Sequence, residues 1–509
     1  MQWLNDIVES ACRLAPEGEI LVESGISPSG SYHMGYLREL LICDAIVIGL
    51  EQKGRASRHV HFVDDQDGFR KVPKGLPAAY EKYLGRPLCD MPAPDDSGRS
   101  YADYALEPFL DSVKALGIEM DVIRSHQKYG QGFFVPAIER VLDNLAEVKS
   151  VLEDVSGRQL DEQWSPIQVN EDGYLKKRAF LGIDKASKEI RYIDKDGNQQ
   201  TTAYDKGQVK LDWRLDWPAR WWLLKVGIEP FGRDHATRGG SYDTGKALMD
   251  KVFKAPAPLP VPYEFINRAG ESKKMSASAG TGILMSEVVS VLPPEVVRYF
   301  VLSTPPDKTL YFDPVGGVTK LIDEFAAFLA KTDKTPDEAQ LLAVCTHGIE
   351  QTVVSSVPFS LLVSSYQAGL KDPARALEII RRSEHGSKVN SQKAVIEQEF
   401  SFIGRWLAAW APDEVKFELA DKPPTGLNSK QIDFLKALAG KIAEAPADAD
   451  GEWFHKAIYD LKDQNSLPPP DIFSAIYQAL IAKNQGPRAG WFLSILPRDW
   501  LVKRLKLES

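Results

Sequence analysis

Cysteine is scarce in this sequence. Four occur in 509 residues, at Cys12, Cys43, Cys89 and Cys345. Scattered in this way they offer neither a disulfide framework nor a paired metal spacing, which fits a protein of the reducing cytoplasm. Long apolar runs are also lacking. Stretches such as Ala45–Leu50 fall far short of the roughly 18 residues that span a bilayer, so no membrane partner is expected. The opening residues Met1–Leu14 mix Asp6, Glu9 and Arg13 among apolar positions, a helix pattern without the apolar centre of a signal peptide. No internal repeat and no low-complexity tract is visible. Positive charge is not in excess either. The formal net charge of −9 weakly opposes a polyanionic partner and gives no reason to expect DNA, although local basic faces attract phosphates whatever the total.

What is present describes an ordinary globular protein, with 43% hydrophobic and 26% charged residues. A chain of 509 residues is too long for one core and should divide into about two to four domains. Over residues 19–63 the pattern reads strand, glycine loop, helix, strand. The apolar run Ile20–Val22 leads into Glu23-Ser-Gly-Ile-Ser-Pro-Ser-Gly30, a helix is predicted from about His33 to Gly49, and His59–Val63 makes a second strand. Strand–helix–strand at this length implies a parallel α/β sheet, which binds ligands at the carboxyl ends of its strands.

Residues 66–212 interrupt that rhythm and read as a long insertion between two halves of one α/β core. They hold proline-rich stretches (Pro73–Pro77, Pro87–Pro94) and helices predicted near Tyr101–Leu116 and Val135–Leu152. Segment 165–210 looks β-rich, with Lys195-Asp-Gly-Asn198 as a hairpin turn. Sheet signals resume at Val226–Pro230, and Ser241–Val252 looks helical. Beyond Pro314 helical periodicity dominates, as in Thr319–Leu329, Ala374–Arg382, Gln392–Ala409, Ser429–Ala443 and Asp471–Lys483. The expected architecture is therefore a Rossmann-like catalytic domain over 1–315, with the insertion at about 66–212, and an all-α domain over 316–509.

Two clusters carry chemistry. In Ser24-Gly-Ile-Ser-Pro-Ser-Gly-Ser-Tyr-His33-Met-Gly-Tyr36, glycines between a strand and a helix let backbone N–H groups approach a phosphate. His33 can donate to a phosphoryl oxygen, and Gly35 leaves a flat patch for an adenine ring. Alone, the same loop reads equally well as a tight βα turn with a surface histidine. In Glu271-Ser-Lys-Lys274-Met-Ser-Ala-Ser-Ala-Gly280, a lysine on a small-residue loop can follow charge developing on a departing pyrophosphate. By itself this reads more readily as a solvated loop. The two clusters together, in this order, are harder to dismiss.

In combination they resemble the class I aminoacyl-tRNA synthetases, whose HIGH and KMSKS signatures His33-Met-Gly-Tyr and Lys274-Met-Ser-Ala-Ser are similar to. Asp64-Asp-Gln-Asp-Gly-Phe-Arg-Lys-Val-Pro73, Asp212-Trp-Arg-Leu-Asp-Trp-Pro-Ala-Arg-Trp221, Glu229-Pro-Phe-Gly-Arg-Asp-His235 and Gly239-Gly-Ser-Tyr-Asp-Thr-Gly245 resemble the lysyl branch of that class, as does Pro487-Arg-Ala-Gly-Trp-Phe-Leu493. The resemblance implies activation of L-lysine with Mg²⁺-ATP, followed by transfer to the 3′ end of tRNA(Lys). It implies His33 and Lys274 as catalytic residues at the phosphates. Ser29, Gly30, Gly35, Gly239, Gly240, Met275 and Ser276 would border ATP. Asp243 stands as either a ribose partner or a helix cap. Gly25, Ser27, Trp213 and His235 would border lysine, with Trp213 as a wall for the methylenes. Glu23, Asp64, Asp65 and Asp67 are the candidate anions for the ammonium, although the Asp64–Asp67 run serves equally well to fix Arg70 and Lys71. His235 reads as a pocket donor, since no second ligand lies at metal spacing.

There are departures. Ala277 stands where KMSKS has its second lysine, and Ala279 where some relatives have another. Many relatives carry a cysteine zinc knuckle in the insertion, but residues 90–344 contain no cysteine. No metal site and no structural zinc are expected. By the resemblance, the helical C-terminal region would read the tRNA anticodon. A monomer is expected. The alternatives are another class I synthetase (for Arg, Cys or Glu), an RNA-binding paralogue without catalysis, or a tRNA-independent adenylating ligase on the same fold.

Overall fold

The computed structural model describes the chain apart from residues 158, 161–163, 271–281, 466 and 509. Its contacts form two compact units. One comprises Met1–Val289, Val297–Phe312 and Lys334–Ile349; the other comprises Ser290–Val296, Asp313–Asp333 and Glu350–Ser509.

The first unit is built on a five-stranded sheet: β1 (Ile20–Ile26), β2 (Ser57–Val63), β3 (Asp121–Arg124), β4 (Val226–Gly232) and β5 (Leu259–Tyr263), in the order β5-β4-β1-β2-β3. Every neighbouring pair is parallel. Strands of a parallel sheet are buried on both faces, and β2 buries His59–Val63 without a break, its two histidines each hydrogen-bonded to Ser24 Oγ at 2.8 Å. The chain leaves β1 toward β2 and β3 on one side and resumes at β4 on the other, so strand order reverses between β1 and β4. A reversal of this kind opens a crevice at the carboxyl ends of the two strands. The expected α/β class with a parallel sheet is what folds.

The helix after β1 runs Tyr36–Gln52, three residues later than the pattern suggests. His33 forms an antiparallel bridge with Leu284, and Met34 N–H donates to the Ile283 carbonyl at 2.8 Å, so helical bonding begins only beyond them. The expected helix Val135–Leu152 is two, Val135–Asp143 and Leu145–Ser156, broken at Asn144. Segment 165–210 folds into two three-stranded sheets, Ile167–Glu171 with Tyr174–Lys177 and Val209–Leu211, and Ala179–Asp184 with Glu189–Ile193 and Gln199–Ala203. The hairpin turn lies where its sequence suggests: the Asp194 carboxylate accepts from the Asp196 and Asn198 N–H groups, and Gly197 takes φ +84°.

The second unit is helical. Its core gathers Phe434, Leu438, Ile476, Leu480 and Phe492. Helix Ser429–Ala443 begins in a capping box, Asn428 with Gln431. The helix read from Gln392 starts earlier, at Gly386, and Gln392 marks a kink where two helices join. No described helix is long and apolar enough to cross a membrane.

Candidate active site

The nucleotide-type loop leaves β1 at Ile26 and doubles back at Ser27–Ser29, where Ser29 N–H donates to the Ser27 carbonyl at 2.8 Å. His33 is held between two glycines. A Cβ on Gly35 would lie 2.7 Å from the imidazole Cε1, and one on Gly282 would lie 2.6 Å from the His33 Cβ. Gly35 N–H donates to His33 Nδ1 at 3.1 Å. With Nδ1 accepting, the neutral ring carries its proton on Nε2. That is the tautomer a phosphoryl-oxygen donor requires.

After β4 the chain makes the turn containing Gly239 and Gly240. Gly239 has φ +71°, and its Cβ would meet the Val155 carbonyl oxygen at 2.5 Å. This position cannot carry a side chain. Asp243 accepts from the Gly239 N–H at 2.9 Å, so one of its carboxylate oxygens fixes this turn. Gly30 and Ser29 lie on the open side of the β1 loop. Lys274, Met275 and Ser276, with Ala277 and Ala279, lie outside the described residues.

Of the residues expected to border an amino acid, Trp213 and His235 come together. Trp213 and His235 have ring centroids 5.6 Å apart, and Trp217 lies 5.5 Å from each. Helix Trp213–Leu224 places Trp213 and Trp217 one turn apart on one face. Gly25 N–H donates to Glu39 Oε1 at 3.0 Å, and the Tyr263 hydroxyl donates to Glu39 Oε2 at 2.6 Å. Burial outweighs these two bonds and, with a smaller push from Asp234, raises the Glu39 carboxyl to about 7. Glu39 and Tyr263 are absent from the sequence-derived site. The signal for Glu39 was an acid in the first turn of the helix that follows the glycine loop; Tyr263 offered none.

The acids that the sequence offered are otherwise engaged. Asp64 binds Arg220 at 2.9 Å. Asp65 is bound by Arg124 and by His126 Nδ1 at 2.6 Å, with Ser125 also donating to it. Asp67 pairs with Lys210 at 3.1 Å and Arg70 at 3.2 Å, so fixing Arg70 is part of its role. Lys210 and Arg220 both reach Asp216. Glu23 is sealed, with Arg220 at 3.6 Å and neither oxygen hydrogen-bonded; burial raises its pKa. Glu39 alone among Glu23, Glu39 and Glu229 keeps accessible surface. Among the described residues no cluster of three or more His, Cys, Asp or Glu side chains is arranged to hold a metal.

A parallel α/β sheet whose strand order reverses between β1 and β4, with a glycine-clamped histidine after β1 and an aromatic cluster around His235 after β4, is the frame of a nucleotide-using enzyme. The chain belongs to the family tRNA synthetases class I (K), whose model matches residues 1–351; it is thus an aminoacyl-tRNA ligase of the class that uses ATP. Lysine--tRNA ligase 1 of Methanosarcina acetivorans is 34% identical over 536 residues, covering 100% of this chain and 98% of the relative. Lysine--tRNA ligase of Archaeoglobus fulgidus is 34% identical over 508 residues, covering 99% of each. Among solved structures, a glutamate tRNA ligase from Elizabethkingia meningosepticum overlays with a TM-score of 0.46 at 11% identity, covering 96% of this chain and 98% of that one.

Proposed function

We propose that this chain joins L-lysine to tRNA(Lys) in two steps. The lysine carboxylate first attacks the α-phosphate of Mg²⁺-ATP, giving lysyl-adenylate and pyrophosphate. The terminal ribose hydroxyl of tRNA then takes the lysyl group and releases AMP. No covalent enzyme intermediate is needed, so the protein contributes positioning and electrostatics. Mg²⁺ arrives on the ATP phosphates, in keeping with its preference for phosphate and water oxygens.

Two observations support the reading, the ring cluster around His235 after β4 and the Glu39 carboxylate bound to β1. Trp213, Trp217 and His235 form an aromatic wall that suits lysine methylenes. Glu39, hydrogen-bonded to Gly25 and Tyr263 and still accessible, suits the ammonium. His33 Nε2 and Lys274 act on the phosphates; Gly35, Gly239 and Gly240 border adenosine, and Ser29, Gly30, Met275 and Ser276 complete the ATP surround. Asp243 serves the Gly239 turn with one oxygen and has a second for a ribose hydroxyl. The helical region 316–509 reads the anticodon. The protein works as a monomer in the cytoplasm without structural zinc. Charging of total tRNA with each labelled amino acid in turn tests this reading. Lysine alone should be accepted, and charging with arginine, cysteine or glutamate instead would overturn it.

A further inference from the structure

The Glu229-Pro-Phe-Gly-Arg-Asp-His235 stretch ends in the pocket histidine, but it begins with an acid where packing alone would place an apolar residue. Glu229 sits inside β4 at 3% exposure. The Trp217 indole N–H donates to its Oε1 at 2.8 Å, while its Oε2 has no hydrogen-bond partner. The pairing of Val22 with Ile228 sets Glu23 beside it on the neighbouring strand. Burial and then Glu23 raise the Glu229 carboxyl well above its usual range, which favours a neutral group. A half-satisfied acid in such a place is costly and is retained for something other than stability.

Its one partner suggests what that is. Trp217 touches both Trp213 and His235, and those two touch each other, so the three rings form a closed triangle. Phe231 meets Trp217 edge-on at 5.7 Å and Trp221 lies at 4.7 Å, but these contacts are apolar and give the indole N–H no partner. The hydrogen bond to Glu229 is directional. We infer that Glu229 is a positioning residue for amino-acid selection: it fixes the Trp217 ring, and through that ring the Trp213–His235 wall, without touching the substrate. The inference rests on the reading of lysine as that substrate.

The test uses the full-length protein and tRNA charging, with lysine and ATP varied separately. Glu229→Met keeps volume but removes the acceptor, and should raise the KM for lysine about tenfold, with kcat and the KM for ATP changed less than about twofold. Glu229→Gln retains an acceptor oxygen and should stay near the parent value. Trp217→Phe removes the donor and keeps a ring; it should match Glu229→Met, and the double variant should be no worse than either. A parent-like lysine KM in Glu229→Met, a Gln variant as impaired as the Met variant, or a loss confined to kcat would each overturn the inference. Should Glu229→Met not fold, a parent-like lysine KM in Trp217→Phe overturns it as well. A parent protein that charges no lysine refutes the substrate reading instead. In that event the indole N–H resonance of Trp217 still decides the point, since it should shift and exchange faster in Glu229→Met and remain in place in Glu229→Gln.

Discussion

Replacing Gly35 with alanine tests whether this glycine serves the histidine or an adenine ring. The added Cβ would stand 2.7 Å from His33 Cε1 and 2.8 Å from Nδ1. Ordinary contact between such atoms is about 3.5–4.0 Å, so the imidazole must retreat by about 1 Å and its 3.1 Å bond from the Gly35 N–H is strained or lost. A displacement of about 1 Å of a positioned group costs on the order of 10²-fold in rate. Deleting the donor altogether, as in His33→Ala, costs about 10²–10³-fold. Folding should not suffer, because Gly35 already has helical angles of φ −57° and ψ −29° and alanine is the better helix former by roughly 1 kcal/mol. Steady-state charging should therefore show a fall of about 10² in kcat for Gly35→Ala, with little change in ATP KM and no loss in melting temperature. Because both substitutions act through one group, Gly35→Ala combined with His33→Ala should be no slower than His33→Ala alone. An unchanged kcat with a raised ATP KM would falsify this account and make Gly35 a platform for adenine.

Other outcomes follow from the buried charges. With Glu39 raised to about 7 by burial, kcat/KM for lysine should climb from about pH 6 to pH 8 as the carboxylate forms, and Glu39→Gln should lower it and flatten the climb; an equal slope in both proteins refutes the assignment. The same group binds more protons folded than unfolded between the ordinary carboxyl value of 4.5 and about 7. Its contribution to stability therefore declines as pH rises through that window, and melting curves of Glu39→Gln should show a smaller drop from pH 5 to pH 8. Arg298 is fully buried and donates to Asp44 at 2.5 Å, to the Val344 carbonyl at 2.5 and 2.9 Å, and to the Leu116 carbonyl at 3.1 Å. Arg298→Met should cost about 3–5 kcal/mol in denaturant unfolding, and adding Asp44→Asn should recover part of it. Elemental analysis should find no stoichiometric zinc, and zinc loss that unfolds the protein would overturn that expectation.

Strands β1, β2 and β4 were legible from short runs rich in apolar residues, with β1 and β2 on either side of one helix pattern, whereas Asp121–Arg124 and Leu259–Tyr263 went unread. Boundaries were less so wherever a distant segment decided them. The helix after β1 starts late because Leu284, some 250 residues on, pairs with His33, a contact no local pattern announces. In the second unit, Ser429–Ala443 was readable to the residue since its capping box is written beside it. Helices Phe359–Ala368 and Gly451–Asn465 went unread: the first follows a proline-bearing segment, and the second mixes exposed charge with its apolar positions.

The same distinction runs through the candidate site. His33 and Gly35 drew attention as members of one glycine loop, and Gly239 and Gly240 entered through the resemblance; each of Gly35 and Gly239 meets a steric requirement of its own turn. The anion proposed for the ammonium was not legible. Asp64, Asp65 and Asp67 attract attention as a run of acids, yet each is matched by a cation from elsewhere in the fold: Arg220, Arg124 and Lys210. Sequence shows a charge but not whether another charge has been built to meet it. What distinguishes Glu39 is that its partners are neutral donors, Gly25 N–H and the Tyr263 hydroxyl. These orient the carboxylate without cancelling its charge, and so leave it able to hold an incoming cation. Glu229 is set apart by the converse arrangement. Its single hydrogen-bond donor is the indole of Trp217, which touches both Trp213 and His235, so the ring it holds links this buried acid directly to the wall proposed for the substrate.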